Sequence, residues 1–186
     1  MHQIEPFYNW RHLYTAEEDE ISPFFGAEHS EFEYSNTIYN YYIHPQWDEF
    51  GSRTLYMKAL FVDYDLNFAI IELIGEWNDA VENDIMQLKR SVIDHMINHK
   101  VNKFILIAEN VLNFHSGDRD YYEEWNEDIR DDGGWIVLMN TPEQTRSEIQ
   151  RARIDRYVRL WDNPNWRTHQ PGDLFQSIDN AMLRLW

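Results

Sequence analysis

Two uninterrupted apolar runs decide the fold: residues 104–108, Phe-Ile-Leu-Ile-Ala, and residues 135–139, Trp-Ile-Val-Leu-Met. Successive side chains of a strand point to opposite faces, so a run that is apolar throughout must be covered on both, as the inner strands of a parallel sheet are. Upstream, residues 55–64 (LYMKALFVDY) and 67–77 (NFAIIELIGEW) read as two more strands. The short Asp65-Leu66-Asn67 connection makes them an antiparallel hairpin, which Gly75 is expected to end. Between hairpin and first run, Val81, Ile85, Leu88, Val92 and Met96 recur at steps of four and three, the stripe of an amphipathic helix over 79–99. Asp79 and Glu82 are spaced as its capping box.

A shorter stripe, Tyr121, Tyr122, Trp125 and Ile129, lies in residues 117–132 among eight acids and two arginines. After the second run, Thr141-Pro142-Glu143-Gln144 reads as a helix start: Thr as cap, Pro in the first turn, Gln reaching back. This helix is expected to run to about Arg153. Tyr157 to Trp161 then reads as a strand, Asn163-Pro164-Asn165 as a turn, and Asp173 to Trp186 as a last helix with Leu174, Ile178, Ala181 and Leu185 on one face. The order is ββαβαβαβα. It predicts an α/β sandwich with a mixed sheet, a hairpin followed by βαβαβ crossovers.

Residues 1–50 differ in kind. They carry ten acids and one base, and thirteen aromatic residues, from Phe7 to Phe50. So many rings argue for a layer packed on the body, with a strand expected at Thr37 to Ile43. The expected division is an irregular acidic aromatic extension over 1–50 and an α/β domain over 51–186. The whole chain of 186 residues has a net charge of -17, which opposes binding to nucleic acid or anionic lipid. Without cysteine there is no disulfide, thiol nucleophile or cysteine-ligated zinc. The first residues lack a signal-peptide pattern and the apolar runs are far too short to span a membrane, so a cytoplasmic chain is expected.

The glycine-rich, nucleophile-elbow and zincin motifs are absent from the sequence. His95 and His99, four apart on the long helix, could offer two metal ligands, but no third is identifiable and the helix C-terminus itself favours a cationic His. Neither a metal nor a cofactor is expected. Asp118, Asp120, Glu123, Glu124, Glu127 and Asp128 could supply a carboxylate pair, or simply a solvated helix face. The arginines at 146, 151, 153, 156, 159 and 167 form the opposite patch, suited to neighbouring acids or to an acidic surface on a partner.

The stretch from Phe104 through His115-Ser116-Gly117 resembles the centre of the STAS family, the anti-sigma factor antagonists, in which a buried strand leads to the motif D-S-S-G and a helix. The order of elements agrees over about residues 54–161. The resemblance implies a regulatory module with Ser116 as phosphoacceptor, controlling docking to a partner protein that is also its kinase. With the architecture and the lack of a catalytic constellation it favours a non-enzymatic interaction module, in which the loop 110–117 (Asn113, His115, Ser116, Gly117, with Asp118 beyond), the start of the following helix and the aromatic extension form the surface for another protein. Phe114 and His115 stand where the motif has Asp and its first Ser. Asp118 and Asp120 would repel a phosphoryl group that the helix N-terminus attracts. Ser116 could instead be the N-cap of the acidic helix. The alternative is a small-ligand binder or hydrolase, its pocket lying between extension and sheet with His115, Ser116 and Asp118 at the mouth, since open α/β sheets bind ligands at that end. Self-association is possible on this sequence but nothing in it indicates it.

Overall fold

Largely apolar residues, buried along almost their whole length, make the hairpin. In a computed structural model, which describes residues 4–184, β3 (Leu55–Asp63) and β4 (Phe68–Asn78) pair antiparallel, with Leu55 opposite Gly75 and Asp63 opposite Phe68. Asp63 Oδ1 accepts from the amides of Asp65 (3.0 Å) and Leu66 (2.8 Å), and Asn67 takes a positive φ of 59°, the conformation a tight reversal needs. Beyond it come α1 (Asp84–Leu88), a π-helical turn (Lys89–Ile93) and α2 (Asp94–Asn98), which follow one another directly. They lead to β5 (Lys103–His115), α3 (Asp120–Arg130), β6 (Trp135–Met139), α4 (Glu143–Arg151), β7 (Arg159–Trp161) and α5 (Pro171–Met182).

The five strands lie in the order β3-β4-β5-β6-β7, with β4 to β7 parallel. Phe104 stands between Ala69 and Ile136, so the two apolar runs are adjacent inner strands, as their composition requires. One face carries Leu73, Phe104, Leu106 and Leu138 against Leu88, Val92, Trp125 and Ile149 of the connecting helices. The other face carries Ile70, Ile105, Ile107 and Val137 against Leu174, Phe175 and Ile178 of α5 and, from the N-terminal segment, Trp10. Each such side chain taken from water contributes roughly 1.5–3 kcal/mol. None of the helices among the described residues is long and apolar enough to cross a membrane.

Several boundaries differ from the sequence reading. Gly75 does not end β4. It sits inside the strand at φ 121°, where a Cβ would lie 2.1 Å from the Thr54 carbonyl oxygen and 2.7 Å from Ile38 Cδ1. The long helix starts at Asp84 rather than at residue 79, leaving Val81 exposed, because Asn83 turns the chain through a left-handed conformation. Thr141 does not cap α4: Pro142 holds that position and the buried Thr141 hydroxyl finds no partner among the described residues. The helix stops at Arg151, since Arg153 is left-handed, and β7 begins at Arg159. Pro171, preorganised for a first helical turn, starts α5 two residues early; Leu185 and Trp186 lie outside the described residues.

The strand expected at Thr37 to Ile43 is a small hairpin, β1 (Thr37–Ile38) and β2 (Tyr41–Tyr42), reversed at Tyr39 and Asn40. Ile38 and Ile43 bury themselves with Trp47, Tyr56 and Ile74. Residues 4–36 form turns without helix or strand.

Candidate functional site

The candidate site lies where β4 and β5 end. The His115 carbonyl oxygen accepts from the amides of Asp79 (2.9 Å) and Ala80 (3.2 Å), tying the two strand ends together. Gly117 then passes so close to Asp79 that a Cβ would stand 2.6 Å from its carbonyl oxygen, which is a structural reason for glycine here. Asp79 is the node. Its Oδ1 accepts from Trp77 Nε1 (2.9 Å) and the Ile85 amide (2.8 Å), and its Oδ2 accepts from the Tyr122 hydroxyl (2.5 Å). One carboxylate thus joins the end of β4, the start of α1 and the first turn of α3. Burial pushes its pKa up to about 6, with a further rise from the neighbouring Asp84 charge. Asp84, raised chiefly by its own burial, accepts from the Asn78 amide at 2.7 Å.

On this frame β5 runs through His115, so Asn113 and His115 belong to a strand and the expected loop over 110–117 shrinks to residues 116–119. Asn113 Nδ2 donates to Glu76 Oε1 (2.6 Å), and Gln144 Nε2 donates to Asn113 Oδ1 (3.4 Å). His115, Ser116, Gly117 and Asp118 are exposed. Ser116 is not the N-cap of α3, whose cap is Arg119, and His115 makes no hydrogen bond to Ser116 among the described residues. Asp118 and Asp120 face each other: the Asp118 charge raises the Asp120 pKa, and Asp118 Oδ1 accepts only a long bond (3.4 Å) from the Asp120 amide.

A groove of about 350 Å³ is lined by Ala80, Asn113, Phe114, His115, Ser116, Gln144 and Glu148. The N-terminal segment does not line it. The cavity that this segment forms with the sheet, about 310 Å³, is lined by Phe7, Tyr14, His29, Lys58 and Leu60 among others, so the expected single pocket is two separate ones. Asp118 lines neither.

Two clusters have metal-ligand composition, Glu17 with His29 and Asp48, and Asp94 with Glu124 and Asp128. In both, a lysine ammonium stands where a cation would: Lys58 between Glu17 and Asp48 (3.2 Å), Lys89 against Asp94 and Asp128 (2.7 Å). These are internal ion pairs. His95 meets the Ile21 carbonyl oxygen through Nε2 and His99 meets the His95 carbonyl oxygen through Nδ1 (2.9 Å), with no third ligand grouped with them among the described residues. Three of the six arginines, at 146, 151 and 167, pair with Asp162, Glu148 and Glu109.

Sequence reading did not anticipate the buried acids Glu72, Glu76, Asp79 and Asp84. The signal for Glu72 was present: a lone carboxylate inside the apolar run 68–75 belongs to a strand whose other faces are covered. The capping box expected of Asp79 serves its own turn, whereas the side chain reaches six residues ahead to the Ile85 amide.

No protein-family model matches the chain, and no curated protein matches it in sequence. Among solved structures, the anti-sigma factor antagonist SpoIIAA in its unphosphorylated form aligns with a TM-score of 0.50 and 14% identity, over 67% of this chain and 95% of that one. The Bacillus cell fate determinant SpoIIAA in its phosphorylated form (TM-score 0.44, 14% identity, 67% and 98% covered) and protein TM1081 of Thermotoga maritima (0.44, 18%, 63% and 90%) are also similar. With its hairpin, three parallel crossovers and helix following β5, the chain has a STAS-like fold, that of the anti-sigma factor antagonist SpoIIAA.

Proposed function

We propose that this chain is a regulatory protein-interaction module, in which loop 116–119, the first turn of α3 and the groove beside them form the docking surface and Ser116 is the switch. The observation that carries the reading is the setting of Ser116: an exposed hydroxyl at the outgoing end of β5, on a loop whose base is fixed through Asp79. The STAS-like fold supports it, and SpoIIAA is an anti-sigma factor antagonist with an unphosphorylated form. A phosphoryl group on Ser116 would enter a field already negative enough for Asp118 to raise the Asp120 pKa. It would act by repelling a docked partner rather than by ordering the helix start.

The test compares Ser116→Ala, Ser116→Glu and the unaltered chain as baits for partner capture, and follows the chain by mass spectrometry after incubation with lysate and ATP. A phosphate increment on Ser116, with capture retained by the Ala variant and reduced about tenfold or more by the Glu variant, is expected. A chain that captures nothing and gains no phosphate removes the reading. Small-ligand binding in the groove is the second reading, favoured by its polar rim of His115, Gln144 and Glu148 over Phe114. Ligand-induced thermal stabilisation, lost on His115→Ala, would support it; flat melting curves across a broad panel would oppose it.

A further inference from the structure

Exposed aromatic rings are concentrated in one short segment. Between residues 32 and 42, Phe32 is 85% and Tyr39 74% exposed, and Tyr34, Tyr41 and Tyr42 are also open to solvent. Surface rings are ordinarily scattered singly, so five exposed ones within eleven residues point to a surface that something covers. The segment is also anchored to the body. Ile38 and Ile43 are buried beneath it, the Ile43 amide donates to the Asn36 carbonyl oxygen at 2.8 Å, and the Tyr34 ring meets His44 edge-on at 5.6 Å. An anchored backbone leaves less freedom to lose when a partner arrives.

Two further observations fix the chemistry. The rings are interleaved with exposed carboxylates, Glu31 and Glu33 before the hairpin and Glu49 after it, in a segment that holds ten acids and one base over residues 1–50. Aromatic faces and carboxylates together suit a guanidinium, which stacks on rings and pairs with acids at once. The hairpin is also continuous with the end of the sheet: the Tyr39 hydroxyl donates to Glu76 Oε2 (2.7 Å), and Glu76 Oε1 accepts from Asn113 (2.6 Å). We infer that the aromatic hairpin is a docking surface for an arginine-rich segment of a protein partner, while a different part of that partner faces the Ser116 loop, where added negative charge repels it. The inference rests on the reading of the chain as an interaction module and adds the chemistry of what it binds.

The test uses the full chain and a fluorescent peptide of four Arg-Gly-Ser repeats, with a Lys-Gly-Ser peptide beside it, read by anisotropy at low salt. An acidic protein attracts any cationic peptide, so the decisive variants leave the charge alone. The combined Tyr39→Ala, Tyr41→Ala and Tyr42→Ala variant should weaken the arginine peptide about tenfold or more, whereas the corresponding Phe variant keeps the affinity. The lysine peptide should bind several-fold more weakly than the arginine one. Both triple variants lose the Tyr39 hydroxyl bond to Glu76, so they should share a similar small fall in melting temperature at unchanged circular dichroism, and the difference in affinity between them reads the rings. Equal affinity of the Ala variant and the unaltered chain would overturn the proposal, as would a chain that dimerises through the hairpin and ignores the peptide. The Ser116 variants separate the two readings. Partner capture that falls with Ser116→Glu but not with the Ala triple leaves the switch and removes the docking surface; peptide binding that depends on the tyrosines while Ser116 changes nothing does the reverse.

Discussion

Lys89 shows how much one residue can hold together. Its side chain is fully buried at the start of the π-helical turn, and its ammonium meets Asp94, Asp128 (2.7 Å) and Glu124 (3.4 Å), joining α1, α2 and α3. Burial disfavours its charge, but the hydrogen bonds it donates to Asp128 and Asp94 outweigh that and hold the pKa above the usual lysine range. Arg90 closes the cluster on the solvent side with two bonds to Glu124 (2.6 and 2.9 Å). Replacing Lys89 by Met keeps the apolar stem and leaves three carboxylates facing one another. Since those acids are partly exposed, the expected loss is about 2–3 kcal/mol, below the full value for breaking a buried pair. Urea unfolding reads it as a lowered midpoint at unchanged slope. A shift under about 0.5 kcal/mol would show the cluster to be screened by water.

At the scale of elements, Gly75 decides whether the small hairpin can sit on the sheet. Gly75→Ala forces a Cβ at φ 121° into the Thr54 carbonyl and Ile38, for which a loss of about 2–4 kcal/mol is expected. Residues 31–42 should then be cleaved faster by a protease while residues 103–139 stay protected. Equal cleavage rates in the variant and the unaltered chain would refute that coupling. The same position shows where sequence reading stops. A glycine in a strand signals either an end or a close approach, and only the neighbouring Ile38, 37 positions away, distinguishes them. Residues 104–108 and 135–139 were legible because covering on both faces leaves apolar runs. The continuation of β5 to His115 was not, because register shifts near Ile74 and Gly75 and thinner cover at the sheet end admit Glu109, Asn110 and Asn113. Helix identities followed from their stripes, but the starts at Asp84 and Glu143 did not, since the caps expected from Asp79 and Thr141 are used elsewhere or buried. Ser116 was found by position along the chain. The frame beneath it depends on Asp79, whose partners span residues 77 to 122, a separation no local pattern encodes.

For the molecule as a whole, buried acids set how stability follows pH. Glu72 is 1% exposed under the N-terminal segment, accepts from the Phe7 amide at 2.8 Å, and is pushed up to about 7 by burial. Asp79 is pushed up to about 6. A carboxyl whose folded pKa is raised binds its proton more tightly in the folded state, so stability falls as pH rises from the unfolded pKa to the folded one. For these two groups the window runs from about pH 4 to about pH 7, and each contributes on the order of 3 kcal/mol across it. Glu17, lowered by Lys58 against its own burial, and Asp94, lowered by Lys89 and Arg90, work the other way and lose their stabilisation as pH falls below the ordinary carboxylate range. A net charge of -17 near neutrality adds self-repulsion in the same sense as the buried acids. The melting temperature should therefore peak near pH 5 and fall by roughly 8–16 °C towards pH 8. Glu72→Gln retains an acceptor for the Phe7 amide but removes the titration, so its melting curve should lose about half of that slope. Because Phe7, Trp10 and Trp166 interlock edge-on above Glu72, with ring centroids 4.8 to 5.7 Å apart, the charged carboxylate weakens the cover formed by the N-terminal segment first. Proteolysis within residues 4–16 should accelerate between pH 5 and 8 in the unaltered chain and hardly at all in Glu72→Gln; identical acceleration in both would place the pH dependence in Asp79 or in the overall charge instead.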